Sequence, residues 1–206
     1  MTNSLKIERD NKMKKTFLSL MLCLCAVAVT GATASAQMMN NSKKMSGNPT
    51  VGGAAMYKTK NIVENAMESP IHTTLVKAVV AAGLVDTLKG KGPFTVFAPT
   101  DDAFGKVDTA TLNAVMQPEN KATLTKILTY HVVAGKMDSK KIAQAIKKGG
   151  GRATLKTVSG GTLTASMHNG GVMLTDEKGG TAMVTTADVY QSNGVIHVID
   201  TVVMPN

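Results

Sequence analysis

Imidazole and thioether groups are the side chains of this chain best suited to chemistry, since soft ligands of this kind suit copper. The sequence of 206 residues carries four histidines and fourteen methionines, eleven of the latter after residue 36. Their spacing does not build a metal centre. His72, His131, His168 and His197 are isolated, no HxH or HExxH occurs, and most methionines fall at positions compatible with a core. Met38, Met39 and Met45 are the exceptions, a weak candidate cluster for Cu(I). Acid–base or nucleophilic chemistry is served no better. His197 and Asp200 are three apart on an expected strand, and odd spacing sends them to opposite faces, so they form no local dyad. No serine elbow is present. Asp101 and Asp102 are adjacent carboxylates, explained by the positive end of a helix starting beside them. The reading is of a protein that is not an enzyme and that takes no cofactor and no metal, with His197 and Asp200 satisfying buried backbone or hydroxyl groups.

The front of the chain bears on where such a protein works. Lys12, Lys14 and Lys15 precede an apolar run from Phe17 to Val29, and Ala34-Ser35-Ala36 before Gln37 follows the small-x-small rule of a signal peptidase site. Residues 1–36 are therefore read as a signal peptide and the protein as exported, periplasmic or extracellular. Met13, followed by two lysines, is a more typical start than Met1. Cys23 and Cys25 both lie in the apolar run, with Leu22 and Leu24 where a lipidation signal wants small residues, so the processed chain has neither disulfide nor thiol chemistry. Cleavage removes five basic and two acidic residues, leaving 18 Lys+Arg against 12 Asp+Glu, a net +6. The lysines are scattered and few aromatics interleave with them, which excludes a nucleic-acid reader. A solvated, solubilising face explains the excess, and loose attraction to anionic polysaccharide or lipid is the functional alternative.

Residues 37–57 are rich in Asn, Ser, Gly, Lys and Met without a sustained period, and read as a flexible tail that becomes ordered only near its end. Residues 58–206 then form a single domain, long enough to bury roughly 70% of the surface of its unfolded chain. Its first half is helical in pattern. Asn61 is placed to cap a helix with Ile62, Val63, Ala66 and Met67 on one face; Leu75, Val79 and Ala82 share another face, which Gly83 terminates. Asp108 or Thr109 starts a further helix with Leu112, Val115 and Met116 inward, stopped at Pro118. Leu124, Ile127, Leu128 and His131 form one stripe at helical spacing, and Ile142, Ala145 and Ile146 belong to a last helix before Gly149-Gly150-Gly151. From Arg152 the period becomes two. Ala153–Val158 and Thr162–Met167 flank a Ser-Gly-Gly turn, Asn169-Gly170 is a strong hairpin signal, Gly179-Gly180 leads to a strand through Met183 and Thr185, and Val195–Val203 is apolar enough for a strand covered on both faces.

The segment TVFAPTDDAF, Thr95 to Phe104, compresses a buried strand, a break at Pro99 and a helix start at Thr100 into ten residues. Together with Tyr130-His131 and with NGVIHVIDTVVMP at the C-terminus, in this order and spacing, it resembles the fasciclin domain of small, single-domain secreted bacterial proteins. The resemblance implies an α+β fold, a wedge-shaped seven-stranded β-sandwich with a layer of several helices. It marks Thr95, Phe97, Pro99, Thr100, Asp101, Phe104, Asn193, Gly194, His197 and Asp200 as signature positions, mainly structural. At position 101 the family often has asparagine, and aspartate preserves the capping chemistry. The resemblance also implies a non-catalytic adhesion, cell-envelope or matrix module, linked in bacteria to surface attachment and biofilm. Its partner would be a cell-surface or matrix protein or polysaccharide, without nucleic acid and without stable membrane insertion.

Tyr130 and His131 match an adhesion motif of animal members. By their own positions, a histidine at the edge of a helix layer more often bonds a backbone carbonyl, and Tyr130 points about a hundred degrees away around the helix. Two other functions stay open beside adhesion: binding of an apolar small ligand or lipid between helices and sheet, and copper handling through the tail methionines.

Overall fold

The computed structural model describes residues 47–206. The proposed signal peptide, Met13, the two cysteines and Met38, Met39 and Met45 lie outside the described residues. Seven α-helices and seven strands follow: α1 (Ile62–Glu68), α2 (Thr73–Ala82), α3 (Val85–Lys89), β1 (Phe94–Pro99), α4 (Asp101–Gly105), α5 (Thr109–Val115), α6 (Lys121–Tyr130), β2 (Val132–Ala134), α7 (Ser139–Lys148), β3 (Arg152–Lys156), β4 (Thr162–His168), β5 (Gly171–Thr175), β6 (Thr181–Gln191) and β7 (Gly194–Ile199). The sandwich implied by the resemblance is one mixed sheet, ordered β2-β1-β7-β6-β5-β4-β3. Register shifts along β6, between Val184 and Thr186 and between Thr186 and Val189, break the ladder in the manner of bulges. The far edges meet again: Val158 N–H donates to Val132 O at 2.8 Å, and Val133 bridges to Thr157, so the sheet nearly closes into a barrel.

Most helix limits follow from local chemistry. Asn61 and Glu64 form a reciprocal capping box on α1, and Gly83, at φ 71°, ends α2 in the left-handed region that a side chain would resist. Thr100 accepts from Ala103 N at 3.2 Å at the start of α4, and Asp108 and Asp138 cap α5 and α7 in the same way. Asn169 and Gly170 both take positive φ, 48° and 79°, as a two-residue hairpin between β4 and β5 requires.

Five features depart from the pattern reading. β2 has three residues and α3 only one buried side chain, Leu88, too little for either period to register. β6 continues to Gln191, well past Thr185, through its pairing with β7, and the break in alternation where Asp188 adopts φ 61° hides the extension from the pattern. β7 stops at Ile199, and residues 200–203 leave the ladder although Val202 and Val203 remain buried. Before the domain limit expected at residue 58, the chain is already packed: Asn48 accepts from Tyr190 N at 3.0 Å, and Val51 and Met56 are buried.

Two cores meet at β1. Alternate residues of this strand face opposite ways, so Val96 and Ala98 join Ile196 and Val198 under the helices α1, α2 and α6. Phe97 turns to the other side, with Leu155, Leu163, Leu174 and Ile199 of the sheet and with Ile142 and Ile146 of α7. β1 pairs with β7 in parallel, from Phe94 with Gly194 to Pro99 with Ile199. A Cβ at Gly194 would stand 2.2 Å from Phe94 O, so only glycine allows the two backbones to approach there. Gly194→Ala is therefore expected to lower unfolding free energy by about 1–3 kcal/mol through overpacking. Gly105→Ala, where a Cβ meets nothing within 4 Å and φ is helical, should be neutral or stabilising by about 0.4–1 kcal/mol. Urea unfolding of the two variants measures both signs.

Candidate functional site

Tyr130 and His131 end α6 and face opposite cores. Tyr130 is fully buried: its hydroxyl donates to Thr162 O at 2.6 Å and accepts from Glu177 N at 3.2 Å, tying α6 to the β4 and β5 hairpins. Burial pushes its phenol up to about 12. His131 is 3% exposed. Its Nδ1 lies 2.8 Å from Ile127 O and its Nε2 3.3 Å from Val203 N–H, so the Nδ1–H tautomer satisfies both nitrogens while neutral. Burial lowers its pKa from 6.5 to about 4. Both side chains are buried and hydrogen-bonded.

The other signature positions are also bonded inward. Thr95 Oγ1 donates to Gly135 O at 2.6 Å and accepts from Met137 N at 2.9 Å. Phe97 stacks on His197, with ring centroids 5.6 Å apart. His197 faces Met137 O through Nε2 at 2.8 Å and Asp188 N through Nδ1. Asp200 lies just beyond β7, where its carboxylate accepts from Met183 N at 2.8 Å and stands 3.8 Å from Lys106 Nζ. Asn193 is a three-way tie: it accepts from Ile62 N at 3.0 Å and donates to Leu88 O and Gly90 O. Phe104 and Pro99 are buried beside Thr100.

Asp101 does something its sequence position does not reveal. Its own helix is capped by Thr100, while its carboxylate accepts from Thr74 N at 2.7 Å and from Thr73 N and Oγ1, at the start of α2. His72, the residue before α2, gives that helix no side-chain cap. Despite the opposing cost of desolvation, these hydrogen bonds hold the Asp101 carboxyl below its ordinary range. A carboxylate borrowed across the corner thus replaces a local cap.

Among the described residues no group of three or more His, Cys, Asp or Glu is placed to hold a metal. What does gather at the surface is lysine. Lys89, Lys91 and Lys136 line an open groove of about 420 Å³, floored by Gly90, Gly92, Pro93 and the turn Ser192–Gly194, and none of its lining residues is acidic. Beside the groove, Lys136 Nζ stands 4.8 Å from the centre of the Tyr190 ring and Lys58 Nζ 5.5 Å from it, and Asp138 and Asp188 lie near enough to act on the same ring. Three separate segments supply these lysines, so spacing along the chain hides them. The repeated Lys-x-Lys at 58 and 60 and at 89 and 91 is their only local trace.

The fold defines the class of this protein. It superposes on the fasciclin domain pair of the insect cell adhesion molecule fasciclin I with a TM-score of 0.62 at 19% identity, covering 69% of this chain and 50% of that one. The fasciclin domain family matches residues 70–205, and the chain belongs to that family. Among its relatives, Protein sll1483 of Synechocystis is 43% identical over 155 residues, 75% of this chain and 79% of the relative. The cell surface glycolipoprotein MPB83 of Mycobacterium bovis is 32% identical over 164 residues, 77% of this chain and 67% of the relative. Immunogenic protein MPB70 of the same species is 30% identical over 198 residues, covering 92% and 94%. Fasciclin-domain proteins are typically non-catalytic modules of adhesion and cell-envelope interaction.

Burial depresses the pKa of His72, His131 and His197 alike, so each remains neutral in the native state while the unfolded chain protonates it near 6.5. The unfolded state then binds more protons below that pH. The stability these groups contribute is fully present above about 6.5 and is lost as pH falls toward their native values. For His131, whose native value is about 4, the full loss is on the order of 3 kcal/mol. Urea midpoints from pH 7.5 to 4.5 should fall steadily, with histidine ring shifts reporting the neutral forms; a flat profile would contradict the assignment.

Proposed function

We propose that this fasciclin protein is exported and acts, without catalysis, as an attachment module of the cell envelope or its matrix, holding an acidic polysaccharide through the lysine groove beside Tyr190. The observation that carries this reading is the groove itself, where Lys89, Lys91 and Lys136 converge without an acidic residue among the lining. Export is supported by the lysine-flanked apolar run and the Ala-Ser-Ala site of residues 1–36, and a relative named as a cell surface glycolipoprotein agrees with it. Among the described residues no helix is long and apolar enough to cross a membrane.

A single exposed ion pair contributes only about 0–1 kcal/mol. Useful attachment therefore needs several lysines against a target that repeats its charge, as a uronic acid polymer does, and repetition in the target supplies the multivalency that one domain lacks. The ring of Tyr190 holds Lys58 and Lys136 on one face of the molecule. Tyr130 and His131 act in this reading by positioning: they bind α6 to the sheet beneath and leave partner contact to the lysines.

Polygalacturonate beads provide the test. The full chain should be retained at low ionic strength and released toward 1 M salt, where the Debye length falls to about 3 Å. Replacing Lys89, Lys91 and Lys136 by glutamine should abolish retention, whereas the same loss of charge at Lys140, Lys147 and Lys148 on α7 should leave most of it. Equal losses in the two triple variants would mean that net charge, not the groove, binds the polymer.

A further inference from the structure

Between α1, α2, α3 and the outer face of β1 and β7 lies a cavity of about 130 Å³, walled by Val63, Val79, Val96 and Ile196. An engineered apolar cavity of about 150 Å³ accommodates benzene, so the enclosed space here suits a group of about six carbons. Apart from Lys89, its exposed rim is apolar as well. Met67 and Val80, 63% and 58% exposed, are two of the four large hydrophobic side chains left in water among the described residues, and both line this cavity. An aliphatic chain lying in the cavity and extending over these two residues would cover them.

Asn65, Ser69, His72, Lys89 and His131 interrupt the lining, and one of their buried atoms lacks a hydrogen bond. His72 is 3% exposed, its Nδ1 lies 2.7 Å from Ser69 Oγ, and its Nε2 has no well-formed hydrogen bond among the described residues, with only the Ala98 carbonyl near enough to favour the protonated ring. The other buried polar groups of the lining are satisfied: Asn65 by the Tyr57 backbone, His131 by Ile127 and Val203. A buried donor or acceptor left unpaired costs about 1–3 kcal/mol, so a partner supplied by a ligand recovers a real penalty. The chemistry of that partner follows from its neighbours. The Ser69 hydroxyl can donate to Nδ1 or accept from it, which leaves Nε2 a donor in one tautomer and an acceptor in the other. A hydroxyl group satisfies both. A carboxylate satisfies one, and it would also face the field of Asp101, fixed at the start of α2 by Thr73 and Thr74. Burial keeps the imidazole itself uncharged at neutral pH, which leaves Lys89, an exposed side chain, as the one cation of the lining that a carboxylate could seek.

We propose that this cavity is a binding site for an aliphatic alcohol, whose hydroxyl pairs with His72 Nε2 and whose chain runs out between Met67 and Val80. The test titrates the full chain with 1-octanol, n-octane and octanoate at pH 7.5, followed by backbone and histidine-ring NMR. Octanol should bind saturably, about tenfold tighter than either of the others, the ratio that one well-made buried hydrogen bond supplies. It should also shift the His72 ring nitrogen resonances. Val76→Phe, which places a ring in the cavity from a half-buried position of α2, should abolish binding of octanol and octane together. His72→Leu should keep octane binding and lose the preference for octanol. If that variant does not fold, the ring shifts in the unaltered chain and the Val76→Phe result decide the matter. Octane or octanoate binding as tightly as octanol, unmoved His72 resonances, or octanol binding that survives Val76→Phe would each overturn the proposal.

Discussion

The parallel pairing of β1 with β7 is the constraint on which the other parts of this domain depend. It joins residues about a hundred apart in sequence inside a sheet whose other neighbours are antiparallel. Because side chains alternate along both strands, the pair serves two cores at once: Val96 and Ile196 lie under the helices, while Phe97 and Ile199 face the closed side of the sheet. The register places Phe97 against His197, and their rings stack. Gly194 permits the approach at one end, and at the other Thr100 N–H still donates to Ile199 O as the chain turns into α4. Asn193, immediately before β7, then ties the ends of α1 and α3 to this strand pair.

That constraint explains which elements could be read from the sequence and which could not. α1, α2, α6 and α7 each carry a full apolar stripe, and most have a local cap or a terminating glycine, so nothing distant is needed to recognise them. β2 exists because β1 offers it an edge, and α3 because Leu88 has a core to enter; neither holds enough residues to show a period. The second half of β6 is set by pairing with β7 across two register shifts, which no pattern within β6 announces. Asp101 illustrates the same limit at the scale of one side chain. Its place beside a strand end signals a helix start, and that is what it serves, but the helix is α2 and not the one that contains it.

The histidines show why residue type alone pointed toward chemistry that the structure does not assemble. His72, His131 and His197 are all buried, yet they sit in different parts of the interior and each answers to a different backbone or hydroxyl partner. A neutral imidazole bridges a donor and an acceptor about a ring's width apart, and few other side chains of that size do so in a core. His131 does this between α6 and the C-terminal segment, and His197 between β6 and the loop before α7. His197 and Asp200 share a sequence neighbourhood but bond different partners, since β7 ends between them. Polar groups of this kind make the interior specific, with a stability that depends on their remaining uncharged.

A domain tied at so many backbone positions has its freedom to vary at the ends of its strands. The lysine groove rests on Gly90–Pro93 and Ser192–Gly194, the two segments that lead into β1 and β7. Their backbone is held by Asn193 and by Phe94 N–H donating to Asn193 O at 3.0 Å, so the floor of the groove is as ordered as the strand pair beneath it. Lys89, Lys91 and Lys136 stand on that floor with exposed side chains that contribute little to the cores. They can therefore be exchanged without disturbing the fold, and the motifs that identify the scaffold carry no information about them. Recognition of the family and recognition of its partner thus draw on different residues: the first on those that close the strand pair, the second on those the strand pair presents.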